Sequence, residues 1–232
     1  MSGAGPAVGH STGLRAHFER RRLLMNASGL LVLLALPAGV ARAAASSTID
    51  VSGWHLPRLS FTMTDATTAR VVTARDFQGK LVLLYFGYTN CPDVCPLTLH
   101  NIARILDRLD RKRADVRVLF VTVDPVRDTL AVLGHYTRLF APEIVGLRGT
   151  ANHLAALARS YHIGYSVSPA TASHPYEVTH SSAIYVFDRA GRPRLLIPSL
   201  ASTAPDIAGT ATALKRLLGE GSGPASAISR LF

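Results

Sequence analysis

Cysteine is nearly missing from this sequence: two residues in 232. That scarcity excludes a secreted scaffold stapled by several bridges, and it excludes a four-cysteine zinc site. Charge is sparse too, at 17% of residues against 48% apolar, so the chain can fill a core and lacks the composition of a disordered one. Acids are the scarcer sign, 15 against 25 bases, for a formal net charge of +10. Part of the excess lies at the front, where residues 1–43 carry Arg15, Arg20, Arg21, Arg22 and Arg42 against the single acid Glu19. The remaining arginines are scattered and form no basic block interleaved with aromatics, so nucleic acid is not an expected partner. Internal repeats and a second core are also lacking, which leaves one domain plus flanking segments.

The front segment reads as an address. Arg20, Arg21 and Arg22 precede an uncharged run over residues 23–41, and Ala41-Arg42-Ala43 is a small-x-small cleavage pattern. A basic cluster before an apolar run holds the start of a chain on the inner side of a membrane. Pro37 and Gly39 near the end of the run suit a cleaved signal, and an uncleaved anchor is the alternative, since a helix of this length just crosses a bilayer. No cysteine follows the run to accept a lipid. The chain is thus expected to face the periplasm, exported or anchored to the inner membrane, where thiols meet oxidants. The expected division is 1–43 signal or anchor, 44–54 linker, 55–220 folded domain and 221–232 tail.

Within that domain the pattern predicts an α/β fold. Residues 59–64 alternate and predict a strand. The runs at 81–87 (LVLLYFG) and 116–123 (VRVLFVTV) are continuous and apolar, as in strands covered on both faces. Helical spacing follows each, in Ile102, Ile105, Leu106 and Leu109 and then in Leu130, Leu133 and Tyr136. A third helix is marked by Leu154, Leu157, Ala158 and Tyr161, with Thr150 as its N-cap. Residues 183–187 and 194–197 flank Asp188-Arg189-Ala190-Gly191, a hairpin turn. Thr203 to Asp206 resembles a capping box before a last helix that Gly219 stops. Strands separated by helices and closed by an antiparallel hairpin give the thioredoxin arrangement, a central mixed sheet flanked by helices.

The two cysteines stand in CPDVCP, directly after the first buried strand and at the start of a helix. At a helix N-terminus a thiolate faces unpaired N–H groups, which lowers its pKa. Residues four apart share a helical face, so Cys91 and Cys95 can aim both sulfurs at one point, to close a disulfide or to hold one soft metal ion. A bridge over so short a loop removes little chain entropy, which favours chemistry over an inert structural staple.

Three segments resemble the Sco/SenC family of copper-binding thioredoxin-fold proteins: YFGYTNCPDVCPLTL at 85–99, VTVDPVRDT at 121–129 and VTHSSAIYVFDRAG at 178–191. The resemblance implies copper bound by Cys91, Cys95 and His180, in the service of assembling the CuA centre of cytochrome c oxidase. Subunit II of that enzyme, or another copper protein, is the implied partner, with a thioredoxin-like reductant for the thiols. Two departures stand out: Thr179 replaces the family's usual Asp before the ligand His, and Asn90 stands where a His often precedes the first Cys. Among nine histidines His180 is favoured by its place before the 183–187 strand, where a thioredoxin-like fold normally carries a cis-Pro and this chain has none. His174 is the runner-up; His55, His100, His135, His153 and His162 read as surface or structural. Two thiolates and an imidazole are a soft set that suits Cu(I), or Cu(II) with a further ligand, and no fourth ligand for structural zinc is evident. Asp93, Asp124 and Asp128 read as turn or N-cap carboxylates, or as support for the site. Tyr85 and Tyr88 read as packing. A thiol–disulfide oxidoreductase is the competing function, with Cys91 and Cys95 as its redox pair.

Overall fold

The computed structural model describes residues 48–220; the expected signal or anchor at 1–43, the front of the linker and the 221–232 tail lie outside the described residues. Among the described residues no helix is long and apolar enough to cross a membrane. Those residues form ten strands and four α-helices in chain order. They are β1 (Ile49–Asp50), β2 (Thr62–Asp65), β3 (Val71–Thr73), β4 (Leu81–Gly87), α1 (Val94–Asp107), β5 (Val116–Thr122), α2 (Leu130–Arg138), β6 (Ile144–Arg148), α3 (Ala151–Ser160), β7 (Tyr165–Ser168), β8 (Glu177–His180), β9 (Ile184–Phe187), β10 (Pro193–Ile197) and α4 (Ile207–Gly219).

Eight strands form one sheet in the order β1-β10-β9-β4-β5-β6-β2-β3. The β4–β5 and β5–β6 pairs are parallel. The pairs on either side of that block are antiparallel. This is the mixed thioredoxin-like sheet the sequence predicts. All seven residues of β4 are buried, which is why that stretch is continuously apolar. Helices α1 and α4 pack together, presenting Leu99, Ile102, Leu106, Ala211, Leu214 and Leu218 to the interior. The turn between β9 and β10 closes at Gly191, whose positive φ of 74° is one that glycine adopts without strain.

Several elements differ from expectation. The first alternating segment is a strand only from Thr62, not from Leu59. β6 was not expected, because its apolar run is short and split by Gly146. The hairpin of β7 and β8 was also not expected; it is a separate two-stranded sheet with half-buried and exposed residues in alternation. The last helix is capped by Asp206, whose carboxylate accepts from the Gly209 N–H at 2.7 Å, so the capping box expected from Thr203 is not formed. Pro205 explains the late start, since the residue before a proline is turned away from helical backbone. Thr150 does cap α3, accepting from the His153 N–H.

Candidate metal centre

β4 delivers the chain to the middle of the sheet, and the turn after Gly87 carries the first cysteine. Cys91 precedes α1 and lies outside it, so the expectation that both cysteines share a helical face is corrected: only Cys95 is in the first turn. The sulfurs still meet, because the Cys95 N–H donates to Cys91 Sγ at 3.3 Å. That sulfur takes over part of the capping that Asp93 does not supply, its side chain making no cap bond. Gly87 allows the approach. A Cβ there would stand 2.9 Å from Cys95 Sγ and 2.5 Å from the Phe120 ring.

Both cysteines are thiols, but they differ in depth. Cys91 is half-buried at the mouth and Cys95 is fully buried. Burial pushes the Cys95 thiol up to about 12, with the nearby Cys91 sulfur adding to the rise and a Tyr88 backbone hydrogen bond offsetting part of it. The lowered pKa expected from the helix N-terminus is therefore overturned at Cys95: loss of water around the sulfur outweighs the dipole.

His180 ends β8 and reaches the cysteines from a distant part of the chain. Its Nδ1 lies 2.9 Å from the Ser181 carbonyl oxygen. The carbonyl can only accept, so Nδ1 carries the proton and Nε2 keeps its lone pair. Nε2 is 3.3 Å from Cys95 Sγ. Burial lowers the pKa of the ring, which favours the neutral form that ligates metals. The rings of Tyr85 and Tyr88 meet it edge-on at centroid distances of 6.1 and 5.8 Å, so their expected packing role falls on the imidazole itself.

The ligand atoms of Cys91, Cys95 and His180 all lie within 4.8 Å of one another, the only such cluster among the described residues. An open depression of about 310 Å³ leads to it, bordered by Tyr88, Pro92, Val178 and Thr179. His174 is not part of the cluster; it is exposed in the β7–β8 loop, with Nδ1 3.0 Å from Ser173 Oγ. His55, His100, His135, His153 and His162 are all exposed and away from the cluster. Thr179, in the position of the family's Asp, shares a 2.9 Å hydrogen bond with Ser166 across the hairpin.

Asp124 and Asp128 are fully buried, and neither is an N-cap; Thr129 caps α2. Asp128 accepts from the Thr89 hydroxyl at 2.6 Å, the Thr89 N–H at 3.1 Å and the Thr122 hydroxyl at 2.5 Å. It thereby pins the strand exit that leads into Cys91. The roles of Arg127 and Tyr176, which meet Asp124, were missed in the sequence. No local pattern joins residues 52 positions apart.

Fold and cluster together define a thioredoxin-like protein with a thiol–thiol–imidazole site at the mouth of its parallel strands. The family described as SCO1/SenC matches residues 57–215, and the chain belongs to that family. It is 42% identical over 124 residues to the mitochondrial SCO2 homologue of Bos taurus, covering 53% of this chain and 47% of that protein. With the mitochondrial SCO1 homologue of Homo sapiens it shares 37% identity over 128 residues, covering 54% and 42%. The matched stretch thus spans about half the length of these curated relatives. Among solved structures, ScoI of Bradyrhizobium japonicum with copper bound is similar at 34% identity and a TM-score of 0.60, covering 69% of this chain and 98% of that one. Yeast Sco1 with copper bound is similar at 29% identity and a TM-score of 0.61, covering 75% and 94%.

Proposed function

We propose that this chain is an exported copper-binding protein that delivers copper to, or prepares, the CuA site of cytochrome c oxidase. In this reading Cys91, Cys95 and His180 are the copper ligands, the domain expected at 55–220 does the work, extended forward into the expected linker by β1, which pairs with β10, and residues 1–43 export it to the periplasm or anchor it there. The convergence of two sulfurs and an unprotonated imidazole nitrogen within 4.8 Å carries the proposal. The donor set fits: thiolates select a soft cation, and three ligands leave room for a recipient's donor during handover. Loading displaces the Cys95 proton, so copper binding and proton release are coupled. The oxidase or another copper protein is the proposed recipient, and a thioredoxin-like protein the proposed source of reducing equivalents.

Competition titration with a Cu(I) chelator tests this. The reduced domain binds a single equivalent, Cys91→Ser and Cys95→Ser abolish tight binding, and His180→Ala weakens it and changes the absorption spectrum of the Cu(II) form. Unchanged affinity and spectrum in His180→Ala would remove the histidine from the ligand set.

A second reading is thiol–disulfide exchange, favoured by two adjacent thiols of which one reaches the surface. The pair would pass two electrons and two protons to a partner's disulfide, releasing two thiols there and forming the Cys91–Cys95 bond here. Turnover of a disulfide substrate that survives His180→Ala but not Cys91→Ser would favour this role.

A further inference from the structure

Among the described residues the hairpin carrying His180 has no backbone ladder to the main sheet, and β7 pairs only with β8. Side chains must therefore hold it against the body. Tyr176, one residue before β8, donates its hydroxyl to Asp124 Oδ1 at 2.8 Å. Arg127 Nε donates to the other oxygen, Asp124 Oδ2. The Arg127 guanidinium lies over the Tyr176 ring, 3.9 Å from its centroid, and 5.8 Å from the Tyr88 ring. Asp124 is itself anchored, its N–H donating to Thr122 Oγ1 at 3.0 Å.

Strand geometry gives this fastening a consequence at the site. Side chains two apart on a strand share a face. Tyr176, Val178 and His180 are half-buried, whereas Glu177 and Thr179 between them are exposed. Fixing Tyr176 therefore fixes the rotation of β8 about its own axis, and with it the face on which His180 stands. One turn, residues 124–128, then governs both halves of the cluster: Asp128 through Thr89 on the thiol side, and Asp124 with Arg127 through Tyr176 on the imidazole side.

We propose that Arg127 and Tyr176 are positioning residues that aim His180 at the two cysteines, without touching the cluster themselves. The consequence for copper rests on the reading of His180 as a ligand; the aiming itself does not. Residues that orient a metal-binding side chain from behind typically cost roughly 10- to 100-fold in affinity when removed.

The test uses Tyr176→Phe, Tyr176→Ala and Arg127→Ala, with urea unfolding to verify that each folds. In the copper-free protein, amide hydrogen exchange at residues 177–181 accelerates in Tyr176→Ala and Arg127→Ala while β4 and β5 keep their protection. Cu(I) affinity falls by roughly tenfold or more in both, and the double variant is no weaker than the worse single, since the two act as one unit. Tyr176→Phe, which keeps the ring under Arg127, loses less and covers the case of an unfolded alanine variant. Added to His180→Ala, neither substitution weakens copper further. Unchanged exchange in the hairpin overturns the proposal, as does a full loss of affinity that persists without His180. Should His180→Ala bind copper like the parent while Tyr176→Ala still loosens the hairpin, the ligand reading fails and the fastening stands.

Discussion

A methyl group at position 87 has no room. The Phe120 ring and Cys95 Sγ occupy the space a side chain would need. Gly87→Ala is expected to lower unfolding free energy in urea by about 1–3 kcal/mol, as overpacking of a filled interior does. It should also weaken Cu(I) binding, because the sulfur must shift; a variant as stable as the parent would show that the strand end is looser than its contacts indicate. At this scale the ligand candidates were legible: a short cysteine spacing after a buried strand, and a histidine before another, mark Cys91, Cys95 and His180. The state of the thiol was not. Proximity to a helix start can be read locally, but the burial of Cys95 depends on its place against the sheet and on the His180 ring brought in from β8, which no local spacing reveals. Asp124 and Asp128 looked like ordinary turn carboxylates for the same reason, each having a partner in a distant segment, Tyr176 and Thr89 respectively.

Elements with strong periodicity declared themselves, and their ends can be tested. Removing the cap in Asp206→Ala should cost about 1 kcal/mol, by loss of the hydrogen bond to the Gly209 N–H at the start of α4. Circular dichroism during urea unfolding measures it, and Asp206→Ser should restore most of the loss. A neutral alanine variant would mean that the packing of Leu214 and Leu218 alone defines where the helix begins. β4, β5, β9, β10 and the four helices could be read because each buries a continuous run or a stripe. β6 and the β7–β8 hairpin could not. The first is interrupted by a glycine, and the second is mostly polar because one of its faces meets solvent. That second omission mattered most, since the hairpin brings the imidazole to the sulfurs.

Across the whole molecule, the layered sheet was legible as a class but its full strand order was not. The edge strands β1 and β3 are two and three residues long, too short to carry a pattern. Long-range ties between layers were equally hidden, and one makes stability depend on pH. Arg113, in a short 3₁₀ turn at Asp110–Asp115, donates from Nε and Nη2 to both oxygens of Glu143 at 2.8 and 2.9 Å. These hydrogen bonds hold the Glu143 carboxyl below its ordinary value of 4.5. A carboxyl lowered in the folded state stabilises above its unfolded pKa, and that contribution is lost as pH falls through the folded value. The urea midpoint should therefore drop on acidification below about 4.5, and Glu143→Gln should flatten that part of the profile; an unaltered slope would assign the acid sensitivity to other groups. The unequal depth of the two sulfurs has a kinetic corollary. An entering nucleophile meets the outer sulfur, while the inner one is sealed from solvent. For the copper handover proposed above, exchange would therefore be sequential and one-sided, beginning at the outer sulfur.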